Sequence, residues 1–286
     1  MQLTLGKHVL DLTRPKIMGI LNVTPDSFSD GGDFVARETA VQHALAMVAD
    51  GADIIDVGGE STRPGANEVS VRDEIARVVP VIEALAGECS VPLSVDTSKP
   101  EVMRAAVAAG ATLVNDVYAL QRPGAVEAVC ELAVGVCLMH MRGTPRSMQE
   151  NPTYDSVPDE VAQFLDRRVA HCEASGIARE RIIVDPGFGF GKTDEHNLLL
   201  LSRLDRIVDL GRPVLVGLSR KRTLGNLTGR AAKDRVASGI AAAVLAVERG
   251  AHIVRTHDVA ATADALAVVA ASAAVLKTHK QSEAKK

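Results

Sequence analysis

Polar groups able to bind or polarise a ligand recur at one kind of place in this sequence, directly after a short apolar run. Asn22 follows Ile17-Met-Gly-Ile-Leu21, Asp56 follows Asp53-Ile-Ile55, and Asp96 follows Pro92-Leu-Ser-Val95. Asn115 follows Leu113-Val114, His140 follows Val136-Cys-Leu-Met139, and Asp185 follows Ile182-Ile-Val184. Val214-Leu-Val-Gly-Leu218 runs into Ser219-Arg220-Lys221-Arg222, and Ile253-Val254 into Arg255-Thr-His257-Asp258. Asp96, Asn115 and Asp185 carry acceptors, and a buried acceptor needs a partner. A heterocycle rich in N–H donors, such as a 2-amino-4-oxo pyrimidine ring, would satisfy all three. The trio makes a poor metal centre, since only Asp96 and Asp185 are anionic and no His/Cys set surrounds them. His140 reads as a structural strand-end histidine. Lys221, Arg255 and His257 form a cationic cluster able to neutralise a polyphosphate leaving group.

The connections add to this inventory. Asn22-Val-Thr-Pro-Asp-Ser-Phe-Ser-Asp-Gly-Gly32 exceeds the two to six residues of an ordinary strand-to-helix loop, and its hydroxyls, Asp26 and Asp30 suit closure over a polar ligand. Gly58-Gly-Glu-Ser-Thr-Arg-Pro-Gly65 brings Arg63, a planar fork for carboxylate or phosphate, beside glycines that permit close backbone approach. Asp185-Pro-Gly-Phe-Gly-Phe-Gly-Lys192 lacks the GxxxxGK[ST] spacing of a phosphate loop, and Phe188 and Phe190 read as apolar pocket walls.

The elements that position these groups follow from the same pattern. Apolar runs alternating with helical segments predict a (β/α)8 TIM barrel, whose active site lies at the C-terminal ends of its strands. Leu3 to Leu12 reads as an N-terminal β-hairpin turning at Gly6-Lys7 and closing the barrel's bottom. Ser70-Val-Arg-Asp73 and Ser98-Lys-Pro-Glu101 resemble helix-capping boxes, and Pro80 should kink the helix containing it. Gly51, Gly110, Gly135, Gly176, Gly211 and Gly250 precede strands, where helix ends favour positive φ. The expected organisation is one domain over 1–276 and a charged, frayed tail over 277–286.

Composition agrees. At 286 residues, 47% hydrophobic and 24% charged, the chain suits one soluble barrel. Aromatics are 2% with no Trp, so the core must be aliphatic. A net charge of −4 supplies no basic field for nucleic acid or an anionic membrane, so any anion is held locally. The four cysteines lack CxxC spacing and read as small hydrophobes. The N-terminus has no apolar leader, and a cytoplasmic location is expected.

The segments Met18-Gly-Ile-Leu-Asn-Val-Thr-Pro-Asp-Ser-Phe-Ser-Asp-Gly-Gly32, Asp56-Val-Gly-Gly-Glu-Ser-Thr-Arg-Pro-Gly65, Ser94-Val-Asp-Thr97, Asn115-Asp116, Asp185-Pro-Gly-Phe-Gly-Phe190, Ser219-Arg-Lys221 and Arg255-Thr-His257 together resemble the dihydropteroate synthases. The resemblance spans roughly residues 15–270. It implies a transferase of folate biosynthesis that condenses 6-hydroxymethyl-7,8-dihydropterin diphosphate with 4-aminobenzoate, releases pyrophosphate, and is the target of sulfonamide inhibitors. It further implies that Asp96, Asn115, Asp185 and Lys221 bind the pterin. Phe28, Thr62, Arg63, Pro64, Phe190 and Ser219 would surround aminobenzoate. Asn22, Arg63, Arg255 and His257 would hold pyrophosphate, and Asn22 and Asp30 a Mg2+ ion. Asp96, Lys221, Arg255 and His257 would carry the catalysis. Its chemistry is dissociative: pyrophosphate leaves, a pterin-stabilised methylene cation forms, and the neutral arylamine attacks. A homodimer is the expected assembly.

Two segments depart from the family pattern: Val117-Tyr-Ala119, where Tyr118 would adjust the pocket edge, and Arg222, where some members carry Ser near the aminobenzoate carboxylate. The competing functions are a pterin-binding methyltransferase barrel and a non-catalytic pterin-binding paralogue. The first has no use for the Ser-Arg-Lys and Arg-Thr-His segments. Intact Asn22, Lys221, Arg255 and His257 argue against the second.

Overall fold

The computed structural model describes residues 1–24, 32–61, 68–144 and 147–283, with side chains for all of these except 32–36 and 276–283. A hairpin comes first, β1 (Gln2–Leu5) pairing antiparallel with β2 (His8–Asp11). Gly6 takes φ +57 at the turn, the left-handed conformation that glycine adopts without a Cβ penalty.

Eight parallel strands follow, alternating with helices. They are β3 (Lys16–Asn22), α1 (Gly32–Ala49), β4 (Ile54–Gly58), α2 (Val71–Glu88), β5 (Leu93–Asp96), α3 (Pro100–Ala108), β6 (Leu113–Asp116), α4 (Ala125–Leu132) and β7 (Gly135–Met139). The second half comprises α5 (Val157–Ala174), β8 (Ile182–Asp185), α6 (Asp194–Ser202), α7 (Asp205–Val208), β9 (Leu215–Val216), α8 (Arg222–Thr228), α9 (Val236–Glu248), β10 (Ile253–Thr256) and α10 (Val259–Glu283). The strand order is β8-β7-β6-β5-β4-β3-β10-β9. A bridge between Val184 and Val214, with Val184 N–H donating to Pro213 O at 2.9 Å, joins the two ends into the expected barrel.

Side-chain alternation divides the structure into two cores. Inward residues low on the strands, Met18, Ile54, Leu113, Ile183, Leu215 and Ile253, are buried together with Leu3 and Leu5 of the hairpin. The hairpin is therefore the bottom plug that the sequence led us to expect. Outward residues such as Leu21, Val57, Val95, Val114 and Val184 pack beneath the helices with Ile82, Leu85, Val102 and Leu165. Each such side chain contributes roughly 1.5–3 kcal/mol by leaving water.

Several local expectations need correction. Ser70 does cap α2, its hydroxyl accepting from Asp73 N–H at 3.1 Å. The N-cap of α3, however, is Lys99 and not Ser98, with Pro100 at the helix start. Gly135 is the first residue of β7, and the left-handed position is taken two residues earlier by Ala133 at φ 53. Glycine is required at 135 by space, since a Cβ there would run into the Leu5 side chain. The run through Leu218 gives a strand of only Leu215–Val216. The last helix, α10, runs to Glu283. Among the described residues no helix is long and apolar enough to cross a membrane.

Candidate active site

The inward positions nearest the C-terminal ends of the strands are polar, directly above the apolar bottom layer. Register puts Asn22, Gly58, Asp96 and Asn115 side by side on β3 to β6. Asp56 lies two residues below Gly58, so period two turns its side chain to the same inner face. Asp185 ends β8, and Arg255 projects from β10. The cleft they floor is lined by Asp96, Asn115, Asp185, Lys221, Arg255 and His257, with Ile20, Val117, Met139, Phe188, Phe190 and Ser219 supplying its walls.

One charge network holds the floor. The Arg255 Nε donates to Asp56 Oδ2 at 2.6 Å and its Nη2 to Asp96 Oδ2 at 2.8 Å. Asn115 Nδ2 donates to the same Asp56 oxygen at 3.0 Å. Asp56 is fully buried. The sequence marked Asp56 as a polar group after an apolar run but assigned it no role. The signal that would have found it is parity: Asp56 shares the face of Ile54 and Gly58, and therefore faces the barrel axis.

The protonation equilibria follow from burial and neighbours. Burial raises the Asp96 carboxyl, to about 7, with Arg255 pulling down and the Asp56, Glu74 and Asp116 carboxylates pushing up. For Arg255 burial opposes the charge, yet Asp56 and Asp96 outweigh it and hold the guanidinium above its ordinary range. Burial raises Asp185, resisted by a hydrogen bond from Gly187 N–H and by the charges of Lys221, Arg255 and Lys192. Burial lowers Lys221 to about 8, with Asp185 opposing. The lysine ammonium sits 4.1 Å from the centre of the Phe190 ring, a cation–π distance.

The turn after β9 brings Lys221 inward. Arg220 takes φ 58, uncommon for a residue with a Cβ. The Arg220 guanidinium turns away to Asp258 Oδ1 at 2.5 Å. Arg235 Nη1 donates to the carbonyls of Arg220 and Lys221 at 2.9 and 3.2 Å, which fixes the turn from behind. Ser219 Oγ and His257 Nδ1 are 3.1 Å apart, so the tips of β9 and β10 converge on one spot. Near β4, Lys99 Nζ donates to Glu74 Oε2 at 2.5 Å and to Glu60 Oε2 at 2.8 Å, and Glu60 Oε1 accepts from Val69 N–H at 2.7 Å.

Of the residues singled out from sequence, Asp96, Asn115, Asp185, Phe190, Ser219, Lys221, Arg255 and His257 line one cleft, and the Asn22 side chain lies beside Asp96 across Gly58. Phe28, Asp30, Thr62, Arg63 and Pro64, like Asp26, fall outside the described residues. Tyr118 does not line the cleft. Its ring lies 4.9 Å from the Arg122 guanidinium, while Val117 supplies the pocket edge, because Asp116 accepts from the Tyr118 and Leu120 amides and rolls the chain outward. Arg222 donates to Gln149 Oε1 at 3.1 Å.

Comparison with known proteins agrees with this constellation. The profile of the family described as "Pterin binding enzyme" matches residues 18–257. The dihydropteroate synthase of Escherichia coli K12 is 52% identical over 263 residues, covering 92% of this chain and 93% of that protein. The Haemophilus influenzae enzyme is 49% identical, with 96% and 99% covered. The structure of Xanthomonas albilineans dihydropteroate synthase with 4-aminobenzoic acid superposes with a TM-score of 0.91 at 54% identity, covering 96% of this chain and 98% of that one. The Yersinia pestis enzyme in a sulfonamide drug complex gives 0.92 at 49% identity, with 96% and 100% covered. The chain belongs to the pterin-binding enzymes and, within them, to the dihydropteroate synthase family.

Proposed function

We infer that the cleft condenses 6-hydroxymethyl-7,8-dihydropterin diphosphate with 4-aminobenzoate, giving 7,8-dihydropteroate and pyrophosphate in folate synthesis. The observation that carries this reading is the split of charge around the mouth. Acceptors on β5, β6 and β8 face cations on β10 and on the turn after β9. Asp96, Asn115 and Asp185 match the N–H donors of an aminopyrimidinone ring. Lys221, Arg255 and His257 stand where negative charge grows as the diphosphate departs, so they stabilise the transition state more than the bound substrate. No covalent nucleophile is needed. Phe190 and Ser219 offer an apolar wall and a hydroxyl for the arylamine, and the family resemblance would assign Thr62, Arg63, Pro64 and Phe28 to the same subsite. Structures of the Xanthomonas albilineans relative with 4-aminobenzoic acid and with 7,8-dihydropteroate support the substrate assignment.

Mg2+ fits the donor set in one particular way. Among the described residues no cluster of three or more His, Cys, Asp or Glu side chains could hold a metal. The oxygen of Asn22, beside Asp96, suits an ion that takes its other ligands from a diphosphate and water, as Mg2+ commonly does. Asn22, with Asp30, would hold the ion, which would neutralise charge on the leaving group. A homodimer is the assembly proposed with this reading. A cytoplasmic location accords with this activity. The test is pyrophosphate release. It is expected to require the pterin diphosphate and Mg2+ and to be matched by 7,8-dihydropteroate when aminobenzoate is supplied; pyrophosphate release that yields no dihydropteroate with both substrates present would overturn the reading.

A further inference from the structure

Lys192 is fully buried, and among the described residues no carboxylate lies within ion-pair distance of it. Its Nζ instead meets three acceptor atoms: Gly187 O at 2.9 Å, His140 Nδ1 at 2.9 Å and Phe190 O at 3.1 Å. An ammonium has three protons, and here each has a partner. Burial, with the charges of Lys192 and Arg142, lowers His140 to about 2, so its ring is neutral and Nδ1 can accept. Burial also lowers Lys192 well below the usual lysine range, and Asp185 opposes that fall. The pair keeps all its hydrogen bonds in either proton state. A neutral amine would still donate to both carbonyls and would accept from a His140 Nδ1–H. That property lets a lysine stay buried without a carboxylate in contact, where an unpaired charge would be costly.

What the lysine ties together is the wall of the cleft. Residues 186–191 form a turn with Gly187, Gly189 and Gly191 at φ +67, +80 and +62. The turn lies flat on the end of β7, since a Cβ at Gly187 would strike the His140 carbonyl and one at Gly191 the Arg142 carbonyl. Its cleft side carries Asp185, whose Oδ1 accepts from Gly187 N–H at 2.7 Å, and Phe190 beneath Lys221. Its back carries Lys192. His140 is clamped in turn, its backbone N–H donating to the Asp185 backbone carbonyl at 2.9 Å and its ring meeting the Phe164 ring edge-on at 4.9 Å.

We propose that Lys192 and His140 are a positioning pair for the pterin subsite, fixing the turn that aims Asp185 and Phe190 into the cleft. The proposal rests on the pterin reading of Asp185. Lys192→Met removes the three donors at nearly constant bulk, takes their Lys192 partner from the Phe190 carbonyl and the His140 ring nitrogen, and leaves Gly187 O with the Phe190 N–H alone at 3.1 Å. His140→Leu removes one acceptor. His140→Asn restores it, because an Asn Oδ1 lies near the position of Nδ1.

Calorimetry with 6-hydroxymethylpterin and, separately, with inorganic pyrophosphate and Mg2+ decides the matter, with urea unfolding run on each variant. Lys192→Met and His140→Leu are expected to bind the pterin at least about tenfold more weakly and pyrophosphate within about twofold of the parent, with His140→Asn close to the parent for both. Should Lys192→Met fail to fold, the two His140 variants carry the test. Pterin binding within twofold in folded Lys192→Met or His140→Leu would overturn the proposal. So would equal losses for both ligands, or an Asn variant as weak as the Leu variant. Asp185→Asn serves as the control. Normal pterin binding by that variant would overturn the underlying assignment, whereas its loss beside intact Lys192→Met binding would overturn the positioning pair alone.

Discussion

Replacing Arg255 by Met isolates the charge network at the cleft floor. Methionine keeps most of the apolar stem but deletes the hydrogen bonds to Asp56 at 2.6 Å and Asp96 at 2.8 Å. The Arg255 side chain is 20% exposed, and its partners are 0% and 11% exposed. Removing one partner of a buried pair costs about 3–5 kcal/mol, because the remaining charge stays buried without compensation. The partial exposure of Arg255 places the expected loss near the lower end, about 3 kcal/mol. That loss has a definite dependence on pH. Burial and neighbouring carboxylates already hold Asp96 up, at about 7, while Arg255 pulls it down. Without the guanidinium the Asp96 carboxyl rises further.

A carboxyl raised above its unfolded value of about 3.9 means that the folded state binds more protons than the unfolded chain. Its destabilising effect is absent below the unfolded value and grows as pH climbs through the folded one. The variant therefore sheds much of its penalty in acid by protonating Asp96, and carries all of it in base. Urea unfolding at pH 5, 6.5 and 8 should show a deficit against the parent of about 3 kcal/mol at pH 8 and under about half of that at pH 5, with unchanged m. A deficit equal at all three values, or largest at pH 5, would refute the assignment of Arg255 as counter-ion to the buried carboxylates.

Four further variants test other parts of the site. Asp185→Asn keeps an oxygen for Gly187 N–H, so its melting temperature should stay within about 3 °C of the parent while pterin affinity, read by calorimetry, falls about 10- to 100-fold. His257→Ala should weaken pyrophosphate about tenfold and 6-hydroxymethylpterin little, as titration of the two ligands separately will show. Lys99→Met strands the fully buried Glu74 carboxylate and should cost about 3–5 kcal/mol in urea unfolding. Gly187→Ala must place a Cβ against the His140 carbonyl at a positive φ, so the folded fraction should lose pterin binding while retaining pyrophosphate.

Much of the fold was legible because short apolar runs ended by polar residues and followed by helical segments have few other readings. The turn at Gly6-Lys7 and the Ser70 cap were legible for the same reason: each depends on residues within a few positions of one another. The misread features depend on partners distant in sequence. Gly135 is glycine to clear Leu5, more than a hundred residues away, and not to end a helix. β9 ends at Val216, the last residue for which β10 provides a partner. The same distinction governs the site. Asp96, Asn115, Asp185 and Lys221 stand out by type and place, whereas Asp56 and Lys192 are recognised only through what they touch across the barrel.

The two halves of the cleft are therefore not independent. In the proposed reaction Asp96 belongs to the side that reads donors on a heterocycle, and His257 and Lys221 to the side that receives an anion, while Asp56 lies in the floor beneath them. Arg255 stands between them, with two nitrogens already committed to carboxylates. A guanidinium held this way cannot swing out to follow a departing diphosphate without exposing two buried negative charges, so it acts as a fixed positive wall and not as a mobile clamp. Fixed dipoles and charges suit the dissociative reaction that the family resemblance implies, because they cost no reorganisation when the bond breaks. Lys221 is tethered less tightly: the turn after β9 fixes its backbone, while its ammonium rests on the Phe190 ring. Burial lowers its charge-carrying range, so that its charge begins to fall away as pH approaches about 8.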